Sequence, residues 1–218
     1  MQPRPPRKPR ADVIRNRSAI LDTARRHFQK HGVHTSLEAV AKDAGVGPGT
    51  LYRHFPTREA LLAAVLHLHA QNLAARHEEL TRTADPQRAL QQWLLALEDY
   101  LSTFNGLPEP LLTAARASEP DNPLTHPCDQ LISMTDNFLR AAQQTGHARA
   151  DIHSRDLFMA ASAVAWIRGT GCADPANLTG LRTLIESGYL SPAGAAAGCC
   201  VHADDHPADR PPRHGIRR

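Results

Sequence analysis

Apolar residues recur every three or four positions through most of this chain, which is the spacing that lines one face of an α-helix. The first such stripe predicts a helix over about residues 16–30, with the apolar positions Ile20, Leu21, Ala24 and Phe28. Other stripes predict helices over about residues 57–82, 86–101, 123–144, 154–168 and 175–190, with a short helix from Pro108. No segment has the alternating pattern of a strand, so we expect an all-α fold.

The composition excludes several classes of protein. Hydrophobic residues make up 41% of the 218 positions, which is enough to form a core and excludes a wholly disordered chain. No apolar run is long enough to span a membrane, and the basic N-terminus lacks the apolar stretch of a secretory signal. Four cysteines are too few for a disulfide framework. We therefore expect a cytoplasmic protein without a membrane partner.

The net charge of +3 hides an uneven distribution along the chain. Residues 1–58 hold 12 of the 25 Lys and Arg residues and only 4 of the 22 acids, so this part carries +8 and the remainder carries −5. A basic N-terminal part in an otherwise acidic chain suggests that the N-terminal part binds a polyanion. A solvated basic face has the same composition, so the pattern of residues must distinguish it from a polyanion-binding surface.

Two short helices, separated by a tight turn, are predicted in the basic part. The spacing of Thr35 and Glu38 is that of a capping box, and Ser36 is a second possible cap. Gly45 ends this helix, and Pro48 stands at the first-turn position of the next helix, where its missing N–H has no cost. Two such helices form a helix-turn-helix, whose second helix is the recognition helix that enters the major groove of DNA.

The second short helix has an apolar side and a polar side. Leu51 and Phe55 are four residues apart and are expected to face inward. The hydrogen-bond donors that lie off that side are Thr50, Tyr52, Arg53 and His54. Each can donate to a phosphate oxygen, and Arg53 can also bind a guanine edge through two bonds. The pattern favours DNA binding, although any helical hairpin with a polar outer face shares it.

Residues 35–62, TSLEAVAKDAGVGPGTLYRHFPTREALL, resemble the DNA-binding signature of the tetracycline-repressor (TetR) family. The string GTLYRHF, followed by Thr57, a basic residue and Leu61, carries the likeness, which extends over about residues 14–68. Gly47 departs from the family pattern, in which a serine often caps the recognition helix. Glycine is a fair cap but contributes no side-chain bond.

The resemblance implies a set of DNA contacts. Residues at positions that touch phosphates in the family are Thr35, Ser36, Tyr52, His54 and Arg58. Residues at positions that face bases or the groove wall are Pro48, Gly49, Thr50 and Arg53. The basic residues between positions 4 and 17 resemble arms that some members lay along DNA, although a solubilising tail has the same composition.

The resemblance also implies the organisation of the chain. We expect a disordered basic arm at 1–13, a DNA-binding domain at 14–58, a helical ligand-binding and dimerisation domain at 59–190, and a disordered tail at 191–218. In the family, the last two long helices form the interface of a homodimer. We assign that role to about residues 154–169 and 175–190, although their apolar stripes would also suit the core of a monomer.

The expected ligand pocket lies among the helices of the second domain. Candidate contacts, chosen by residue type, are Trp93, Tyr100, Phe104, Met134, Phe138 and Trp166, with His126 or Arg116 for polarity. Each of them also suits an ordinary core. We expect neither a metal site nor a cofactor, because His69 and His77 are more typical of boundary positions, and Cys199 and Cys200 lack the spacer of zinc ligands.

These expectations combine into one function. The sequence predicts a homodimeric DNA-binding transcriptional regulator, a repressor that a small-molecule ligand releases from a near-palindromic operator in double-stranded DNA. Two alternatives remain, namely an architectural DNA-binding protein without a ligand response, and an activator. An enzyme is disfavoured, because the chain shows no paired carboxylates, nucleophile triad or phosphate-binding glycine loop.

Overall fold

The computed structural model describes residues 9–117 and 121–191. The first eight residues of the expected arm lie outside these ranges. So does nearly all of the expected tail, including Cys199, Cys200, His202 and His206.

The described residues fold into helices joined by short turns, as expected for an all-α fold. The helices are α1 (Pro9–His31), α2 (Leu37–Asp43), α3 (Pro48–His54), α4 (Arg58–Leu80), α5 (Pro86–Leu101), α6 (Pro108–Ala117), α7 (Thr125–Gln144), α8 (Ser154–Thr170) and α9 (Pro175–Tyr189). Within 9–117 and 121–191, extended pairing is limited to one isolated antiparallel bridge between Ala148 and Leu190. We call α1–α3 the head and α4–α9 the body. No described helix is both long enough and apolar enough to cross a bilayer.

The first helix begins earlier than the sequence predicts. It starts at Pro9 rather than near Asn16, so residues 9–13 of the expected arm are helical. Val13 is 51% exposed and Ile14 is 64% exposed. Val13 and Ile14 therefore do not extend an inward-facing apolar stripe, and a search for such a stripe overlooks this part of α1.

Side-chain caps mark where four of the other described helices begin, namely α2, α4, α5 and α9. Thr57 accepts a hydrogen bond from the Ala60 N–H, and Asp85 and Asp174 cap α5 and α9 in the same way, as expected. The cap of α2 is Ser36, whose Oγ accepts from the Ala39 N–H at 3.2 Å. Of the two possible caps that the sequence offers, Ser36 and not Thr35 therefore caps α2.

One continuous core joins the head and the body. In the head, Phe28 of α1 and the predicted inward residues Leu51 and Phe55 are almost completely buried. In the body, α5, α7 and α8 pack against one another around Trp93 and Phe158. The long helix α4 contacts α1 as well as α5 and α7, so it runs from one part into the other.

The turn after α1 is seated on the turn between α5 and α6. The Val33 N–H donates to the Asn105 carbonyl at 2.9 Å. Gly32 has a φ of +78°, and a Cβ there would lie 2.8 Å from the same carbonyl oxygen. A Cβ on Gly169 of α8 would lie 3.3 Å from Asn105 Oδ1. Asn105 is therefore a joint at which the head, the α5–α6 turn and α8 meet.

The last helix is attached to the body by few buried residues. Leu178 and Tyr189 are its buried members, whereas Leu184 is 72% exposed. Two polar contacts tie α9 to α5: the Arg182 guanidinium donates from Nε to Glu98 Oε2 at 2.7 Å, and the Gln91 amide donates to the Glu186 carboxylate. Most positions of α9 are exposed or half-buried.

Candidate nucleic-acid interface

The turn between α2 and α3 sets the direction of α3, the predicted recognition helix. Gly45 adopts a φ of +70°, which ends α2, and the Val46 N–H donates back to the Ala41 carbonyl at 3.0 Å. Gly47 then caps α3 without a side-chain bond, and Pro48 occupies the first turn. The cap at Gly47 and the position of Pro48 are as expected from the sequence.

The two sides of α3 differ as the sequence predicts. Leu51 is completely buried, and Phe55 lies beneath the Arg17 guanidinium, 5.1 Å from the ring centre. The exposed predicted contacts on α3 are Pro48, Gly49, Tyr52 and Arg53, while Thr50 and His54 are half-buried. The helix therefore combines an anchored inner face with an outer face that can donate hydrogen bonds.

Two of the predicted phosphate-contacting hydroxyls meet at one carboxylate. Ser36 Oγ donates to Glu38 Oε2 at 2.8 Å, and the Tyr52 hydroxyl donates to Glu38 Oε1 at 3.1 Å. A backbone N–H and these two hydroxyls lower the pKa of Glu38, and the bond to Glu38 raises the pKa of Tyr52. The sequence indicated Glu38 only as a capping partner.

Arg58 and Thr35 are built into the turn before α2. Arg58 Nη1 donates to the carbonyl oxygens of Val33 and Thr35 at 2.7 and 2.6 Å. The Thr35 hydroxyl is half-buried and lies 3.5 Å from His27 Nδ1, while His27 Nε2 lies 2.9 Å from Asp43 Oδ2. Arg58 therefore holds the start of α4 against the start of α2, a structural role that the sequence did not indicate.

The candidate ligand contacts do not form one group. A cavity of about 110 Å³ lies between α4 and α7, and Tyr100, Met134 and His126 are among its lining residues. Arg116 lies instead beside Trp166 in an open groove between α6 and α8. Trp166 is 53% exposed on α8 and lies apart from the cavity between α4 and α7.

The other aromatic candidates are packed in the core. Trp93 Nε1 donates to Thr135 Oγ1 at 3.0 Å, and the Trp93 and Phe138 rings are stacked with centres 5.3 Å apart. His77 approaches both rings edge-on, and burial lowers its pKa. Phe104 is also buried and packs edge-on against Phe28 of the head.

The remaining histidine considered as a metal ligand has an ordinary partner. His69 Nε2 lies 3.0 Å from Thr103 Oγ1, and the ring stacks on Tyr100. Burial lowers the pKa of His69. Across 9–117 and 121–191, no three His, Cys, Asp or Glu side chains are grouped so that they could hold a metal ion.

Comparisons with known proteins give a consistent result. Residues 20–65 match the model of bacterial regulatory proteins of the tetR family, and residues 85–189 match a Transcriptional regulator SbtR-like, C-terminal domain. The chain is 39% identical over 64 residues to the HTH-type transcriptional regulator UidR of Escherichia coli (strain K12), a match covering 29% of this chain and 33% of UidR. It is 29% identical over 159 residues to the probable HTH-type transcriptional regulator ArpR of Pseudomonas putida, covering 72% of this chain and 70% of ArpR.

A solved structure extends the likeness over nearly the whole described chain. The TetR transcriptional regulator SCO0520 from Streptomyces coelicolor is 32% identical, with a TM-score of 0.51. The match covers 81% of this chain and 99% of that protein.

Proposed function

This chain belongs to the TetR family of bacterial regulators and is a DNA-binding transcriptional regulator, and from that premise we propose that it is a homodimeric repressor released from a near-palindromic operator by a small molecule. The family consists of transcriptional regulators, which are generally not enzymes. The observation that carries the proposal is α3, a helix anchored by Leu51 and Phe55 whose outer face exposes Tyr52 and Arg53. We assign DNA binding to residues 14–58, and ligand binding and dimerisation to 59–190.

The donors on the head divide into two groups by what they can recognise. Arg53 suits a guanine edge, because its fork can donate two parallel bonds to O6 and N7. Donors assigned to phosphate oxygens are Thr35, Ser36, Tyr52, His54 and Arg58. Residues assigned to the groove wall are Pro48, Gly49 and Thr50. Phosphate contacts position the head on any sequence, whereas base contacts select one.

The dimer proposal rests on apolar side chains that the protomer leaves in water. Met159 and Trp166 of α8 are about half exposed, and Leu184 of α9 is more so. Burying such side chains against a second copy is favourable by roughly 25 cal/mol per Å² of apolar surface. Two heads held about 34–36 Å apart can enter successive major grooves on one side of the duplex.

The ligand proposal rests on the cavity between α4 and α7. Its walls are mainly apolar, with His67, His126 and Gln130 as polar members, so it suits an apolar molecule with one polar group. At about 110 Å³ it is smaller than the usual ligand pocket of roughly 300–1,000 Å³. A ligand of the usual size would therefore have to push α4 and α7 apart to be enclosed between them.

A displacement of α4 would be transmitted to the head through Arg58. Arg58, the first residue of α4, holds the carbonyls of Val33 and Thr35 just before α2 begins. A ligand that binds better to the form with α4 displaced shifts the regulator away from its DNA-binding form. Changing the ratio of displaced to DNA-binding forms from 1:99 to 99:1 takes about 5.5 kcal/mol of difference in ligand binding free energy.

The proposal is tested by selecting bound fragments from a sheared genomic library with the purified protein at about 150 mM salt, the ionic strength at which specific and non-specific binding should be compared. We expect one two-fold symmetric motif to be enriched. Recovery of fragments without a shared motif would instead support the architectural alternative.

Substitutions then test the assignments on α3. Arg53→Ala should relax the choice of base at one position of each half-site, and Tyr52→Phe or His54→Ala should weaken binding to all sequences alike. Unchanged affinity and base preference in all three variants would refute the assignment of α3 as the recognition helix.

A further inference from the structure

Glu38 is bonded to two of the groups that the proposed function assigns to DNA. Ser36 and Tyr52 each donate to a different oxygen of its carboxylate, at 2.8 and 3.1 Å. Arg58, a third assigned phosphate contact, acts on Glu38 as a nearby positive charge. We propose that Glu38 takes the place of a DNA phosphate in the free protein and thereby lowers the affinity of the head for every DNA sequence. This inference rests on the proposed function.

The competition follows from the number of protons available. A hydroxyl carries one proton, so Tyr52 donates either to Glu38 or to a phosphate oxygen, and the same holds for Ser36. DNA binding through these hydroxyls must therefore break both bonds to the carboxylate. A carboxylate also repels a phosphate brought to the same donors, because both carry negative charge.

The carboxylate is anionic when DNA arrives. Glu38 is exposed and lies in the first turn of α2, where the helix dipole favours a negative charge. Its pKa is lowered by a backbone N–H and by the same two hydroxyls. Glu38 is thus held in its charged form at the N-terminal end of α2, within hydrogen-bond distance of Tyr52 on α3.

The effect of Glu38 on affinity does not depend on the DNA sequence, and this independence suggests what Glu38 is for. Glu38 bonds Ser36 and Tyr52, which are assigned to phosphates, whereas the base-contacting assignment belongs to Arg53. The carboxylate therefore weakens operator and non-operator binding by the same factor and leaves their ratio unchanged. Weaker binding to the large excess of non-operator DNA leaves more of the regulator free to find its operator.

The test compares Glu38→Ala and Glu38→Gln with the wild-type dimer. Affinities are measured by fluorescence anisotropy on the selected operator duplex and on a scrambled duplex of equal length, at several salt concentrations. We expect both variants to bind both duplexes about three- to tenfold more tightly, as expected for removing one charge close to a phosphate. The slope of log K against log salt should steepen, by at most about 0.9.

Two controls separate this effect from a general change in charge or stability. Asp22→Asn removes an exposed acid of α1 and changes the net charge by the same amount, and it should alter affinity by less than Glu38→Gln. Glu38→Gln keeps an oxygen that can accept from either hydroxyl, so it remains informative if Glu38→Ala fails to fold. Circular dichroism melts confirm which variants are folded.

A double-mutant cycle with Tyr52→Phe decides between competition and positioning. If Glu38 competes with phosphate, Tyr52→Phe costs about twofold in the wild type and about fivefold or more in Glu38→Ala, where the hydroxyl is free to donate to DNA. If Glu38 instead holds Tyr52 in place for DNA, Glu38→Ala weakens binding and Tyr52→Phe then has no further effect. That second result would overturn the inference.

The failures of the two proposals are distinguishable. A wild-type protein that binds neither duplex refutes the proposed function. A wild type that binds its operator, together with Glu38 variants of unchanged affinity, refutes only the role of Glu38. A change confined to one base pair of the operator also overturns it, because Glu38 would then read a base.

Discussion

Replacing Gly32 by alanine should destabilise the protein more than the same change at any other described glycine with a positive φ. Gly32 has a φ of +78°, and its Cβ would lie 2.8 Å from the Asn105 carbonyl oxygen, which already accepts from Val33. The backbone conformation alone costs a non-glycine residue about 1–2 kcal/mol. The contact with a backbone atom adds about 1–3 kcal/mol, because the turn must move.

The expected loss for Gly32→Ala is therefore about 2–5 kcal/mol, a large part of the roughly 5–15 kcal/mol that stabilises a typical domain. Gly45 provides the matched control within the head. Its φ is +70°, but no atom lies within 4 Å of a Cβ placed there. Gly45→Ala should thus carry only the conformational cost of about 1–2 kcal/mol.

The assay is urea unfolding followed by circular dichroism, at one fixed protein concentration because the proposed dimerisation would contribute to stability. The two variants should have equal m-values and different midpoints, with Gly32→Ala the lower. Equal losses for the two variants would refute the argument, because they would show that the head is not seated tightly on Asn105.

Three further predictions concern the body. Leu184→Glu should weaken dimerisation at least about tenfold in sedimentation experiments, because a two-fold interface would receive the charge twice. Burial raises the pKa of the Cys128 thiol to about 12, so at pH 8 iodoacetamide should label the exposed Cys172 and spare Cys128, as read by peptide mass mapping. Burial lowers the pKa of His77, so its contribution to stability is present above the ordinary histidine value of 6.5 and is lost as pH falls below it. His77→Phe should flatten the pH dependence of the urea midpoint in that range.

Controls for these predictions are available on α4. Leu68 is 52% exposed and lies outside α8 and α9, so Leu68→Glu should leave the dimer intact. His67 is exposed, and His67→Phe should leave the slope of stability against pH closer to that of the wild type than His77→Phe does. Rapid labelling of Cys128 in the folded protein would contradict its burial.

Local signals account for most of what the sequence predicts correctly. The Asp85-Pro86 and Asp174-Pro175 pairs mark the starts of α5 and α9, because a cap acts on backbone groups only two or three residues away. Leu51 and Phe55 are identified as inward residues by their spacing within one helix. The start of α1 was missed because Val13 and Ile14 are exposed and give no inward stripe.

Contacts between residues far apart in the chain account for most of what the sequence does not predict. Glu38 and Tyr52 are 14 residues apart, and their bond depends on how α2 and α3 cross. The bond from Arg58 to the Val33 carbonyl spans 25 residues. Trp166 has the type of a core residue, but α8 carries alanines on several sides, so residue type does not show which face is buried.

Two polar contacts between α9 and α5 restrict the positions that α9 can take along α5 to a few discrete registers. Arg182 and Glu186 are four residues apart, about one helical turn, and each has its own partner, Glu98 and Gln91. Hydrogen bonds weaken steeply with distance and angle, so a gradual slide of α9 would break both before any new pair formed. Apolar packing alone would tolerate such a slide. If α9 forms half of the dimer contact, the separation of the two heads takes discrete values, and the operator must match one of them.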